Sequence, residues 1–129
     1  MAVINDKGLI GRVVNISDNT CVVKLLSSTN SNNKISIKIN NEDTSLYGLL
    51  SDYDEKRNLF IIEGISENVE IKEWQLVTTS GLSEIFPSGI LIGTVHNVTT
   101  DNYDLAKTIE VTPSVNYNDL NYVVLLNRK

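Results

Sequence analysis

The residues that could do covalent or acid–base chemistry are few in this sequence. It contains one histidine, His96, so a serine or cysteine nucleophile activated by histidine would have to use that residue. The candidate serines, Ser80 and Ser83, do not lie in a Gly-x-Ser-x-Gly turn. His96 falls in an alternating strand pattern that predicts a side chain facing solvent. We therefore predict no catalytic residues.

The sequence also contains few residues that could form a metal or cofactor site. One histidine and one cysteine cannot form a structural zinc site. Asp52, Asp54 and Glu55 resemble a calcium loop only in part, because a closing bidentate glutamate is missing, and a solvated turn is the simpler interpretation. Cys21 lies in an apolar run and is predicted to be a small buried residue. We expect no cofactor, no metal and no disulfide.

Composition limits the class of protein further. With 129 residues, the chain has the size of one domain or of two small units that share a core. Hydrophobic residues make up 41%, which is enough apolar material for a core, and the net charge of −5 argues against a nucleic-acid partner. The sequence as given contains neither an export signal nor an apolar run of about 20 residues that could cross a bilayer, so it predicts a soluble domain.

The hydrophobic pattern has a period of two through most of the chain, which predicts an all-β fold. In the clearest case, Ile35, Ile37 and Ile39 fall on one face and polar residues fall on the other. Nine strands are predicted, at residues 9–16, 20–26, 34–39, 45–50, 58–63, 76–79, 90–98, 107–112 and 122–126. Short strands at this spacing indicate a barrel or a sandwich.

One segment repeats. Residues 9–16 (LIGRVVNI) and 91–98 (LIGTVHNV) share Leu, Ile, Gly, Val and Asn in register. A glycine that bends a barrel strand is one explanation, and a duplicated strand that gives two similar β units is the other.

The stretch from residue 76 to 93, LVTTSGLSEIFPSGILIG, contains the most specific motif. Gly81 suits a positive φ at the end of a strand, and Gly89 lets the chain reverse into the next strand. Pro87 restrains Phe86 so that its ring can enter the core. Gly93 permits a bend or a close approach of another strand. These features specify a fold rather than a ligand site. The motif residues are Thr79, Ser80, Gly81, Ile85, Phe86, Pro87, Gly89 and Gly93.

This motif resembles the signature of the MreC family, the rod shape-determining proteins of bacterial cell-wall synthesis. Residues 8–13 with 22–26 are similar to the family's first strand pair, and residues 109–113 leading into 123–126 are similar to its end. The sequence departs from the family where Trp74 and Gln75 replace the usual Gly-Asp, so the turn there is expected to have a different shape.

The resemblance implies two small six-stranded β-barrels in one chain, distantly similar to chymotrypsin-like barrels but without a catalytic triad. We divide the chain at residues 1–72 and 73–129, or alternatively treat 27–72 as a unit flanked by pieces of the other barrel. The resemblance also implies an extracytoplasmic location, behind a membrane helix and a coiled coil that this sequence does not contain. No cofactor is implied.

The implied function is a non-catalytic scaffold for wall elongation, which binds itself, MreD and penicillin-binding proteins. Aromatic side chains are the candidate interface anchors, and a half-buried place at a barrel end is the alternative for each; they are Tyr47, Tyr53, Trp74, Tyr103 and Tyr117. Two alternatives stay open at this point. One is a degenerate or unusual β-barrel hydrolase, and the other is a small barrel that binds an oligosaccharide.

Overall fold

The computed structural model describes residues 2–28, 34–40, 45–65, 71–82, 86–100, 107–117 and 123–126. Over these residues the chain is largely β-strand, with one 3-10 turn at Leu26–Ser28. The strands are β1 (Ala2–Asn5), β2 (Gly8–Ile16), β3 (Cys21–Leu25), β4 (Ile35–Asn40), β5 (Ser45–Asp54), β6 (Leu59–Ile65), β7 (Leu76–Thr79), β8 (Leu91–Thr100), β9 (Lys107–Pro113) and β10 (Val124–Leu126). The all-β prediction is confirmed.

Six strands close into a barrel in the order β4-β5-β6-β9-β8-β7, and every described pairing in it is antiparallel. The alternation of β4 explains its place, because Ile35, Ile37 and Ile39 are buried while Lys38 is only partly covered. Closure gives the backbone groups of each strand a partner on both sides, so the barrel has no free edge to protect.

The barrel interior is filled by aliphatic side chains and two phenylalanines. Phe60 and Phe86 are among the largest fully enclosed side chains. The other buried members of this cluster are Ala2, Leu9, Leu26, Ile35, Ile37, Ile39, Leu46, Leu50, Ile62, Ile65, Val77, Ile92, Val95, Ile109 and Val111. Ala2, Leu9 and Leu26 come from the N-terminal part of the chain, so the core extends beyond the barrel strands.

The second unit is a four-stranded sheet in the order β10-β1-β2-β3. A small cluster of Val3, Ile10 and Val115 is buried beneath it. Tyr117 packs against both clusters, and its hydroxyl donates a hydrogen bond of 3.0 Å to the Leu9 carbonyl oxygen. Tyr117 therefore joins the sheet to the barrel together with Ala2 and Leu9, which lie on sheet strands and pack in the barrel cluster.

Position 72 falls between β6 and β7, in the middle of the barrel's strands. Strands β4 to β6 come before it and β7 to β9 come after it, whereas the sheet uses strands near both ends of the chain. The division of the chain into folding units stays a prediction.

Three details differ from the sequence predictions. Strand β1 was not predicted, because it is only four residues long and is followed at once by a turn in which Asn5 Oδ1 accepts hydrogen bonds from Lys7 and Gly8. Strand β5 continues to Asp54, through residues predicted as loop. The prediction that Cys21 is buried is wrong: Cys21 is exposed, because β3 is the outermost strand of the open sheet.

The repeated segment has the same backbone geometry in both copies. Each residue pair between β2 and β3 has an equivalent between β8 and β9. The Gly11–Leu25 pair corresponds to Gly93–Pro113, and the Ile16–Cys21 pair corresponds to Val98–Ile109. Both hairpins also shift register at the same point, after Val13 in one and after Val95 in the other. The duplicated-strand interpretation thus extends to a duplicated hairpin.

The repeated glycines allow a very close approach between strands. A Cβ atom placed on Gly11 would lie 2.0 Å from the Lys24 carbonyl oxygen, and one placed on Gly93 would lie 2.1 Å from that of Thr112. Only glycine fits such a contact, because the opposing atom belongs to the backbone and cannot turn away.

A charged cluster covers the outside of the barrel at Glu110. This carboxylate forms an ion pair with Arg57 and accepts a hydrogen bond of 3.3 Å from Asn97 Nδ2. The bond from Arg57 is the main cause that lowers the pKa of Glu110 below its usual value; burial opposes it, and Asn97 adds to the lowering. The cluster joins β9 to β8 and to the β5–β6 connection.

We expect Gly93→Ala to destabilise the chain by roughly 1–3 kcal/mol, because the added methyl group collides with a backbone oxygen that cannot move without distorting the barrel. Urea unfolding followed by circular dichroism measures the change. The neighbouring Thr94→Ala is the matched control and should cost less than about 0.5 kcal/mol. Equal losses from both substitutions would contradict the close approach.

We expect Glu110→Gln to lower the melting temperature at neutral pH and to matter less in acid. The pKa of Glu110 is lower in the folded chain than its ordinary value of 4.5, so its stabilising contribution is complete above that value and is lost as the pH falls through the folded pKa. Melting temperatures of both proteins across an acid series measure this. A difference that persists unchanged at the acid end would contradict it.

Candidate interaction surface

Thr79 organises the loop between β7 and β8. Its hydroxyl donates a hydrogen bond of 2.7 Å to the Pro87 carbonyl oxygen and accepts one of 2.9 Å from the Ile90 amide. Its backbone carbonyl accepts a further bond from Gly89, and its amide donates to the Ile90 carbonyl oxygen. One residue at the end of β7 therefore fixes the return of the chain into β8.

The rest of the motif completes this arrangement. Gly81 has a φ of +76°, which confirms the prediction of positive φ at this position, and Gly89 has a φ of +85°. Phe86 is buried in the barrel core, as predicted. The Ser80 hydroxyl donates to Ser36 Oγ at 2.8 Å and accepts from the Leu82 amide at 3.1 Å. These contacts join the loop to strand β4.

These contacts leave little for catalysis. The Ser80 hydroxyl is engaged in holding the loop, and His96 is exposed on β8, as predicted. Ile85 and Ser83 lie outside the described residues. The Ser80 hydroxyl, a candidate that the sequence analysis rejected, is thus bonded to Ser36 and the Leu82 amide rather than to His96.

The carboxylates of the β5–β6 connection serve the local backbone. Asp52 Oδ1 accepts a bond from the Tyr53 amide, and Asp54 Oδ1 accepts one from the Arg57 amide and forms an ion pair with its side chain. In the part of the chain that the structure describes, no group of three His, Cys, Asp or Glu side chains could hold a metal ion.

A polar cleft lies beside this connection. Its volume is about 470 Å³, and it is lined by Ser27, Ser28, Tyr53, Glu55, Asn58, Asn116 and Tyr117. Both tyrosine hydroxyls are already engaged, Tyr53 with Asn58 Oδ1 and Tyr117 with the Leu9 carbonyl oxygen. The cleft thus offers mostly groups that stabilise the fold.

The outer wall of the barrel carries apolar side chains. Tyr47 and Leu49 alternate along β5 with buried neighbours and point outward, and Tyr47 is 47% exposed. Leu76 at the start of β7 is likewise exposed. Strand β4 lies between them, where Lys38 pairs with Tyr47 on one side and with Thr78 on the other. We call Tyr47, Leu49, Trp74 and Leu76 the outer-wall surface.

Trp74 is the most exposed member of the outer-wall surface, at 75%. Its φ of +71° is rare for a bulky residue and ordinary for glycine. Hydrogen bonds from the Trp74 amide to the Val95 carbonyl oxygen and from the Val95 amide to the Gln75 carbonyl oxygen hold this turn. The backbone at position 74 therefore has a conformation suited to the glycine that the resembled family places there, while the side chain presents an indole ring to solvent.

The other predicted anchors differ in their surroundings. Tyr53 and Tyr117 are partly buried, and their rings lie 5.2 Å and 6.0 Å from that of Phe60. Burial raises the pKa of the Tyr117 hydroxyl. Both residues thus contribute to the core that joins sheet and barrel. Tyr103 lies outside the described residues.

A second exposed apolar region was not predicted. Val14, Ile16 and Val22 project from the end of the β2–β3 hairpin, and Ile16 is 60% exposed. Sequence reasoning missed them because each belongs to an alternating apolar run, which gives no sign of whether another strand covers it. The sequence repeat was the available signal, because it makes this hairpin equivalent to the β8–β9 hairpin, which is enclosed.

The barrel, the loop and the repeated hairpin can be compared with known proteins. The sequence pattern of the family described as "Rod shape-determining protein MreC, barrel core" matches residues 1–127. The chain belongs to the MreC family. The cell shape-determining protein MreC of Bacillus subtilis is 38% identical over 135 residues, which cover 99% of this chain and 46% of that protein. The chain thus spans less than half the length of this MreC relative.

Solved MreC structures share the fold. MreC of Listeria monocytogenes superposes with a TM-score of 0.88 at 35% identity, over 95% of this chain and 58% of that one. A complex between penicillin-binding protein PBP2 and MreC from Helicobacter pylori has a TM-score of 0.65 at 20% identity, over 90% of this chain and 68% of that one. Among the described residues, no helix is long and apolar enough to span a membrane.

We expect Thr79→Val to destabilise the chain by about 3 kcal/mol, because it leaves the Pro87 carbonyl and the Ile90 amide without their partner. Thr79→Ser is the matched control: it keeps the hydroxyl, loses one buried methyl group and should cost about 1 kcal/mol. Chemical denaturation measures both variants. A valine variant as stable as the serine variant would show that the loop does not depend on this hydroxyl.

Proposed function

We propose that this chain is a non-catalytic scaffold domain of bacterial cell-wall elongation, which binds itself and penicillin-binding proteins through surfaces outside its cores. The family relation supports a role in cell shape, because the curated relatives are cell shape-determining proteins. The domain then works by organising other proteins in space. Its partners are proteins, and no small-molecule cofactor is part of the proposal.

The observation that carries this proposal is Trp74. A tryptophan that is 75% exposed leaves a large apolar ring in contact with water, where a polar side chain would be better solvated. It also occupies backbone geometry that costs about 1–2 kcal/mol for a residue with a side chain. Neither the exposed ring nor the positive φ stabilises the fold. Large aromatic rings are, however, enriched among the residues that dominate protein interfaces.

The chemistry of the remaining residues agrees with a binding role. The single histidine is exposed on β8, and the Ser80 hydroxyl is used to hold the loop. The described surface instead offers aromatic and aliphatic groups beside Lys38, a mixture typical of interface cores with a polar rim. This favours the scaffold over the hydrolase.

Solved structures of other MreC proteins support the choice of partner and location. PBP2 of Helicobacter pylori is found in complex with MreC, and other MreC structures are described as the major periplasmic domain. We propose the same partner class and an extracytoplasmic location for this chain. MreD is a further proposed partner, on the resemblance alone. Relatives more than twice as long leave room for the membrane helix and coiled coil that the resemblance implies.

We expect Trp74→Gly to weaken binding to the extracytoplasmic part of PBP2 from the same bacterium by at least about tenfold, which is about 1.4 kcal/mol. The same substitution should leave the melting temperature unchanged or raise it, because glycine suits a φ of +71°. Biolayer interferometry and thermal melting measure the two properties. Weaker binding by a fully stable variant separates an interface role from a structural one.

His96→Ala is the control, since His96 is exposed on β8 and is the only histidine. It should bind PBP2 as the parent chain does, and neither form should hydrolyse wall peptides. Loss of a hydrolytic activity in this variant, or equal PBP2 affinity in the Trp74→Gly variant, would contradict the proposal.

A further inference from the structure

The two repeated hairpins differ in what lies beside them. The outer edge of β9 is hydrogen-bonded to β6, where Phe60 pairs with Val111 and Ile62 pairs with Ile109. The outer edge of β3, the equivalent strand, has no neighbour among the described strands. The repeat therefore presents the same backbone twice, once with its third strand and once without it.

The missing neighbour changes the burial of equivalent side chains. Ile109 and Val111 are completely buried, whereas Cys21, the equivalent of Ile109, is exposed. At the equivalent of Glu110, which Arg57 and Asn97 cover, the first hairpin has Val22, with 55% of it exposed. A long apolar edge of this kind is a template for another strand.

The charges on this hairpin are separated along its length. Arg12 and Lys24 face each other across β2 and β3 near the base of the hairpin, and neither forms an ion pair among the described residues. Like charges that are directly opposite repel each other. Asp18, the single acidic residue of the hairpin, lies in the turn at its tip. An antiparallel copy of the hairpin would bring each tip towards the other's base.

We propose that the edge of β3 pairs with β3 of a second copy of this chain, in antiparallel register about a two-fold axis near Val22. This inference rests on the self-binding part of the proposed function and assigns it a surface. In that register Val23 lies opposite the second copy's Cys21, and Lys24 lies opposite Thr20, two residues from Asp18. The sheets of the two copies become one sheet of eight strands, counted over the described strands, in which neither β3 is an edge.

The second copy fits this edge better than an unrelated strand because the edge is complementary to itself. A two-fold interface requires that the same patch supply both halves of each contact. Here the apolar centre meets the same apolar centre, and the cationic base meets the anionic tip at both ends. Strand addition to a free edge also needs no change in the backbone, since β9 already has this geometry with β6.

Sedimentation velocity over a concentration series tests the proposal. The parent chain should form a dimer, and Val22→Lys should weaken dimer formation by at least about tenfold, because edge lysines block strand addition. Val14→Lys is the matched control: Val14 is similarly exposed but lies on β2, at the position that His96 occupies in the other hairpin. The control should dimerise as the parent chain does.

Disulfide trapping tests the register. In a Cys21→Ser background, Val22→Cys should give a covalent dimer under mild oxidation, because residues on the two-fold axis of an antiparallel pair have Cα atoms about 4.5–5.5 Å apart, within reach of a disulfide. Val14→Cys in the same background should not be trapped. Equal trapping of both variants would overturn the register and with it the proposed pairing.

The outcomes separate this inference from the proposed function. A chain that binds PBP2 but stays monomeric, or that dimerises equally well with Val22→Lys, overturns the β3 interface and leaves the PBP2-binding role standing. Loss of PBP2 binding in the Val22→Lys variant with dimer formation unchanged would assign the edge to a strand of that partner, and would also overturn the second copy as its occupant. Loss of the dimer in the Val22→Lys variant, together with trapping of Val22→Cys but not of Val14→Cys, supports it.

Discussion

Closure of the six-stranded barrel is the constraint on which the other features depend. Because each of its strands has a partner on both sides, the barrel buries Phe60 and Phe86 without an exposed edge. Closure requires the chain to return from β7 to β8, and the Thr79 hydroxyl supplies two side-chain hydrogen bonds, to Pro87 and from Ile90, that hold the end of this connection. It also requires β8 and β9 to approach closely, which the glycine at 93 permits. The most specific sequence motif therefore serves to close the barrel.

Barrel closure decides which surfaces are available for binding. Inward positions are occupied by the core, and the loop motif is occupied by its own hydrogen bonds, so the side chains left for partners point outward from β5 and β7 or lie on the open sheet. Trp74 belongs to this group, because its backbone serves the turn before β7 while its ring serves nothing in the fold. Function and folding thus use different faces of the same strands.

Sequence reasoning predicted the parts of this fold that are set by local pattern. The isoleucines of β4 lie as their alternation indicated, and Gly81 has the predicted positive φ, because alternation and turn geometry are properties of a few neighbouring residues. The burial of Cys21 was predicted wrongly, since it depends on whether a distant segment pairs with β3. Trp74 was predicted as one of five candidate surface aromatics, and it is exposed, but its positive φ followed only from the structure.

The duplicated hairpin has a consequence for how proteins of this kind diverge. At positions 109 and 111 a substitution disturbs the packed interior and is removed by selection for stability. At position 21, the equivalent of 109, and at its neighbour 22, the side chains are exposed and the interior does not constrain them, so changes there alter what the surface recognises at little cost in folding. Two hairpins of one backbone geometry thus differ in what they require of their side chains: the enclosed copy is constrained by the core, and the exposed copy is free to vary in what it recognises.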